Sequence, residues 1–220
     1  MGLFPLRGKI IFLAMMLLLP GFLFAGENDS VKKENTADIS PIIEPDGFNL
    51  RISAGYGLMM GSVSSDQGKY IISGKSYLFS VSCGYAFTGS MIPFADLRFS
   101  ICPVDNTRLN GKSYDEGQLR FIYDSSSIGI GVLSYLLDTN VYVSEALYLN
   151  GASYDSDRIN CSTKYGAGFG IKLGYDFRFG EYSGFGVFLS YYGSYSKMRE
   201  KSCVDAISHE FNLGLSYVSF

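Results

Sequence analysis

His209 is the chain's single histidine and stands between Ser208 and Glu210, the residue types from which a hydrolase builds base, nucleophile and acid. The spacing works against that chemistry. Adjacent strand residues project to opposite faces, so Ser208 and Glu210 share the side away from His209. Cys83, Cys102, Cys161 and Cys203 are scattered and have one distant histidine, which gives no zinc-ligand spacing. Gly166, Gly168 and Gly170 imitate part of a dinucleotide-binding loop, but that motif opens a helix and these glycines lie inside an alternating pattern. No catalytic group, metal or cofactor is indicated. What remains is a set of sparse charges: Arg51, Asp96, Arg98, Arg120, Glu145, Lys172, Asp176 and Arg178. Charges withdrawn from water need partners, so they form either a paired plug or the lining of a narrow conduit.

The segments that carry them alternate with a period of two. Phe48, Leu50, Ile52, Ala54, Tyr56 and Leu58 share one face, and Asn49, Arg51, Ser53, Gly55 and Gly57 share the other. The longest run alternates from Lys164 and Tyr165 to Arg178 and Phe179. At roughly 3.3 Å per residue it spans some 50 Å, where about 9 to 11 residues suffice to cross a bilayer at a tilt. Further strands are expected over 70–87, 92–101, 118–137 with a break at 124–127, 141–149, 185–196 and 208–220. The count of eight rests on reading 118–137 as one strand, and ten is the alternative. Connections 61–69, 102–117, 150–163 and 197–207 are long, while 88–91, 138–140 and 180–184 are short. Such asymmetry is that of transmembrane barrels, with long loops outside and both termini in the periplasm.

The polar face is mostly Gly and Ser, a poor exterior for water but a good fit to a crowded interior. The apolar face therefore meets lipid, and strands so placed must close into an up-and-down antiparallel ring so that every backbone group is paired. The sparse charges then point inward. Glu145 is turned inward by cost, since a charge on the lipid face is penalised by up to a few kcal/mol, which puts Tyr142 and Tyr148 outward. Tyr70, Tyr165, Phe179 and Tyr195 suit interfacial girdles. Cys161 and Cys203 fall in neighbouring outer loops of an oxidising compartment, where a disulfide between them is expected and Cys102 could compete. Cys83, on the Phe79, Val81 and Tyr85 face, is expected to be a free, lipid-facing thiol.

Ahead of the strands, Arg7 and Lys9 precede an apolar run over 10–24, then Ala25 and Gly26. That reads as a signal peptide, residues 1–25, with the cut after either small residue. The run is about 15 residues, short of the roughly 20 of a spanning helix. No cysteine lies near the cut, which excludes a lipoprotein. Residues 26–46 lack periodicity and are read as a flexible periplasmic lead-in, and 47–220 as the barrel. The formal charge of −3 offers no basic footprint for nucleic acid.

The ending Leu213, Gly214, Leu215, Ser216, Tyr217, Val218, Ser219, Phe220 resembles the carboxy-terminal assembly signal of outer-membrane proteins. Val218 stands where those proteins favour an aromatic residue, and Phe220 is out of phase with Phe211, Leu213, Leu215 and Tyr217 unless a bulge or a frayed end intervenes. With the signal peptide and hairpin spacing, residues 47–220 resemble the OmpA, OmpX and OmpW group of small outer-membrane barrels. The resemblance implies a monomer in the bacterial outer membrane, surrounded by its lipid and placed there by the barrel assembly machinery through Phe220. It implies a structural or surface-interaction role, with loops that meet a host or extracellular ligand, or alternatively a narrow, porin-like or OmpW-like transporter for small or hydrophobic molecules. A lipid-modifying enzyme is the third reading. The His-x-Ser-Asn pattern of barrel-borne deacylases is missing, because Glu210, Phe211 and Asn212 follow His209.

Overall fold

The computed structural model describes residues 47–86, 91–115, 121–136, 139–156, 160–179, 182–199 and 203–220. The signal peptide, the lead-in and Arg120 lie outside the described residues. Among the described residues the protein is all β: β1 Gly47–Ser65, β2 Gly68–Ala86, β3 Met91–Leu109, β4 Lys112–Asp115, β5 Phe121–Tyr135, β6 Val141–Ser156, β7 Asn160–Arg178, β8 Ser183–Met198 and β9 Cys203–Ser219.

Eight of these strands, all but β4, close an antiparallel ring in the order β2-β1-β9-β8-β7-β6-β5-β3, with β3 returning to β2. Its shear follows from the pairing. In one direction Leu78 is in register with Gly55, Gly214, Phe188, Gly174 and Tyr142. In the other it is in register with Ser100, Ser125 and Ala152. One circuit thus moves from Tyr142 to Ala152, ten residues along β6. Strands staggered in this way tilt by about 35–45° and leave an interior just wide enough for side chains to fill.

Segment 118–137 contributes one strand, β5, unbroken through Asp124 and Ser127, so the barrel count is eight. The extra strand β4 pairs with β3 alone, beyond the point where β5 begins. The turn between β3 and β4 holds Asn110 at φ 50° and Gly111 at φ 84°. A two-residue turn with both central residues at positive φ is the tight hairpin that Asn-Gly favours.

The four long loops are a correction. β1 runs to Ser65 and β2 starts at Gly68, β3 continues through Cys102 to Leu109, β6 extends to Ser156, and β7, β8 and β9 reach Asn160, Met198 and Cys203. Alternation does not stop at these segments; its sense inverts. On β1 the inward positions pass from Asn49, Arg51 and Ser53 to Met59 and Val63, all buried, while the outward positions pass from apolar side chains to Ser62 and Ser64. A barrel that leaves an apolar surrounding needs an oily inside and a polar outside, as soluble barrels have. The resulting cluster at this end joins Met59, Val63, Tyr70, Ile72, Cys102, Val104, Tyr123, Ala152, Tyr154, Cys161, Met198, Cys203 and Ala206.

Below that extension the outside is an apolar belt. Phe48, Leu58, Ile130, Leu147, Phe169, Leu189 and Leu213 are exposed on it. Tyr165, Phe179 and Tyr195 stand exposed, but Tyr70 is fully buried and its hydroxyl donates to Gln67 Oε1 at 2.9 Å, so it belongs to the inner cluster and to no girdle. Cys83 is exposed on the belt. Phe220 reaches its place without a bulge: β9 keeps one register with β8 from Asp205 to Ser219. Its parity is that of Ser216 and Val218, and its ring packs against an inner cluster of Ile92, Leu133, Tyr135, Tyr142 and Phe188 at the lower end, where the described chain begins.

Candidate functional site

The interior stacks three layers between those two apolar ends, and each charge arrives there by strand parity. Lowest is the pair of Arg51 from β1 and Asp176 from β7, buried together. Arg51 Nη2 donates to Asp176 Oδ2 at 2.7 Å and Nη1 to Oδ1 at 3.0 Å, the bidentate match of guanidinium to carboxylate. Tyr135 donates to the same Oδ2 at 2.7 Å, Nη1 reaches Ser216 Oγ at 3.1 Å, and the Tyr142 ring lies 4.2 Å from the guanidinium.

Asp96 and Lys172 form the middle. Asp96 accepts from Ser82 at 2.8 Å and from Tyr148 at 2.8 Å. Lys172 lies 3.5 Å from Ser53 Oγ and 4.7 Å from the Phe188 ring. A cavity of about 30 Å³ separates these groups, lined by Arg51, Asp96, Arg98, Tyr148, Lys172 and Ser190 among others. It has room for a water or two and for no solute.

Highest is a second ion pair. Arg98 Nη2 donates to Glu210 Oε2 at 2.7 Å, and both side chains are buried. The same oxygen accepts from Ser100 at 2.8 Å and Ser76 at 3.1 Å, and Tyr192 lies 4.4 Å under the guanidinium. Ser208 continues the layer upward by bonding to Tyr123 at 3.1 Å and to Ser194 at 2.7 Å. Arg51, Lys172 and Arg98 face Asp176, Asp96 and Glu210, so these six side chains balance formally.

Two readings of the residues change. Glu145 faces outward on β6 and is exposed, while Tyr142 and Tyr148 point inward. The strand keeps one register with β5 and β7 from Val141 to Leu149, so its parity is a single choice. Inward placement lets Tyr142 face Arg51 and Tyr148 bond Asp96, and these contacts decide against the one carboxylate. Cys102 lies within β3 and is buried with a free thiol, outside any loop.

Glu210 is the partner that the list of inward charges lacked. Its signal was present: Ser208, Glu210, Asn212, Gly214 and Ser216 form the polar face of β9, opposite Phe211, Leu213 and Leu215. Arg178, at the lower end of β7, is half-buried. Cys161 and Cys203, both inward at the tops of β7 and β9, are joined by a disulfide, their Cα atoms 6.3 Å apart.

His209 is exposed on the outside and its Nδ1 lies 2.9 Å from the Tyr191 hydroxyl, while Ser208 is buried within. The barrel wall separates the two. Replacing His209 with alanine is therefore expected to leave the lipid profile of producing cells unchanged, as measured by mass spectrometry of extracted lipid. A new or missing acyl form would revive the hydrolase reading. The inward glycines of β7 serve packing instead of binding phosphate: a Cβ on Gly168 would come 2.5 Å from the Tyr192 hydroxyl.

No protein family matches the chain, and neither does any curated protein sequence. Among solved structures it is similar to Neisserial surface protein A at 19% identity and a TM-score of 0.46, covering 78% of this chain and 96% of that one. Ail, the attachment invasion locus protein of Yersinia pestis, was solved with the heparin analogue sucrose octasulfate; it is 16% identical with a TM-score of 0.45, over 79% and 99%. The outer membrane protein OprG of Pseudomonas aeruginosa gives 10% and 0.47, over 81% and 99%. The resemblance to small outer-membrane barrels is one of architecture.

Proposed function

We propose that the protein is a closed barrel of the bacterial outer membrane, whose role is structural or is carried by surface contacts of its polar upper extension. Support for the location is the belt: a wall that exposes Leu, Ile and Phe, and buries Arg51, Asp96, Arg98, Asp176 and Glu210 while leaving Glu145 outside, is mostly suited to hydrocarbon around it, and closure leaves no strand edge there unpaired. Phe220, at the end of the last strand, is proposed to serve the assembly machinery.

The observation that carries the closed reading is the filled interior. Two ion pairs cross the lumen, the cavity between them is about 30 Å³, and the upper end is plugged by the Met59, Tyr123 and Tyr154 cluster. A conduit would need a continuous path through both layers. What remains for contact is the extension, which presents Ser62, Ser64, Lys69, Arg108 and Asp155 outward from paired strands. Those strands hold their polar side chains in fixed places, which lowers the entropy lost on binding compared with free loops.

Purified protein in planar bilayers is expected to give no regular conductance steps. Reproducible steps that vanish on unfolding would overturn the closed reading in favour of a narrow transporter.

A further inference from the structure

The outer face of the upper extension carries an open groove of about 750 Å³, formed by β9, β1, β2, β3 and β4. Met60, Ile71 and Ile207 give it an apolar floor, and Ser62, Ser73, Asn106 and Ser113 supply hydrogen-bonding groups. Lys69 and Arg108, both exposed, stand at its upper end. Arg108 is in register with Ile71, so Lys69, two residues before Ile71 on the same face, is its diagonal neighbour, with Cα atoms roughly 7–8 Å apart. Among the described residues no carboxylate lines the groove, although the chain has 21 acidic residues against 18 basic ones. Asp66 and Asp105 lie three residues from these cations but outside the lining, and neither Lys69 nor Arg108 has an ion pair among the described residues. Elsewhere on the extension the charge is different: Lys197 is in register with Asp205, and Asp124 and Asp155 are exposed on β5 and β6.

The groove is continuous with the belt. Ser73, Met60 and His209 share one row at its foot, and the next outward row below is Lys75, Leu58 and Phe211, the rim of the apolar wall. From Lys75 to Lys69 is six residues of β2, roughly 20 Å of strand and about 14–16 Å of height at a tilt of 35–45°. A phospholipid headgroup layer is only about 5–8 Å deep, so a lipid that reaches both cations from the rim needs a taller headgroup. We infer that this groove holds the phosphorylated saccharide headgroup of a membrane lipid, whose acyl chains lie on the belt at Leu58 and Phe211. The inference rests on the proposed location, with the belt facing hydrocarbon. A phosphate between Lys69 and Arg108 accepts from both, and the guanidinium offers it a bidentate match. The serines and Asn106 suit sugar hydroxyls, and the apolar floor suits the faces of the rings. A lipid already lying against the rim presents its headgroup at high effective concentration, an advantage that no free solute has.

The test uses protein extracted from membranes in mild detergent, with bound molecules counted by native mass spectrometry. The probes are a bisphosphorylated disaccharide lipid, its dephosphorylated form, and the phosphorylated disaccharide freed of its acyl chains. Wild type is expected to retain the phosphorylated lipid and to hold the other two at least ten-fold less. The double variant Lys69→Gln with Arg108→Gln should lose the phosphorylated lipid by a similar factor. Lys112→Gln, which removes an exposed cation of β4 outside the lining, should bind like wild type. No retention by wild type, equal retention of the two lipids, a double variant that binds like wild type, or a Lys112→Gln variant as poor as the double one would each overturn the site. A free saccharide held as tightly as the lipid would make the groove a site for soluble glycans and overturn the lipid as its occupant. Band shifts on boiling report separately on the membrane barrel; if they hold while retention fails, the headgroup site alone is lost.

Discussion

Glu210→Ala is expected to destabilise the barrel by about 3–5 kcal/mol, the range for removing one partner of a buried ion pair. The substitution takes away the oxygen that accepts from Arg98, Ser100 and Ser76. Arg98 then stays buried over Tyr192 with no carboxylate to meet it, and no path to water opens because the Met59 and Tyr123 cluster lies above. The cost is the stranded cation more than the lost attraction. A double replacement, Arg98→Met with Glu210→Leu, should therefore recover most of the loss, since apolar residues of similar volume often substitute for a buried pair without penalty. Urea unfolding in vesicles, followed by the boiling-dependent gel band, measures both. If the single alanine variant unfolds within about 1 kcal/mol of wild type, the lumen is wetter than the geometry of this layer implies.

The second large effect is expected from the disulfide. Cys161 and Cys203 are 42 residues apart in sequence, and a cross-link over such a loop stabilises by about 2–4 kcal/mol, mainly by restricting the unfolded chain. The bond ties β7 to β9 across the top of β8, where the strands have left the belt and depend on the inner apolar cluster. Reduction, or the paired change Cys161→Ser and Cys203→Ser, should lower the urea midpoint and speed amide exchange at the upper ends of β7 and β9. Exchange in the strands around Arg51 and Asp176 should be unaffected. Cys83→Ser, on the outer wall, is the control and should change neither. Uniform loss of protection through all eight strands would mean that the extension and the belt unfold as one unit.

How much of this was legible in the sequence depends on where the alternation kept its sense. Over the belt it did: Phe48 to Leu58 and Tyr165 to Phe179 define which face is apolar and, with the polar face mostly Gly and Ser, which side points in. Parity alone then sends Arg51, Asp96, Arg98, Lys172 and Asp176 inward. Above the belt the same alternation continues with reversed chemistry, and a scan for apolar-out strands reads Ser62, Ser64 and Tyr70 as loop and girdle. Asn110-Gly111, the turn between β3 and β4, lies inside the segment 102–117, which the same scan reads as a long connection.

Local pattern therefore determined the fold class and the faces of the belt strands other than β6, because a strand's period is two whatever surrounds it, while the count stayed between eight and ten until β5 proved to be one strand. Tertiary structure alone decided which charges meet. Arg51 and Asp176 are 125 residues apart, and Arg98 and Glu210 are 112 apart. Their encounter depends on the shear of the ring, a property of how all eight strands stagger together and of no single segment. The same holds for Glu145: cost on one strand favoured turning it inward, but the tyrosines that must reach Arg51 and Asp96 across the lumen set the parity of β6 and left the carboxylate outside.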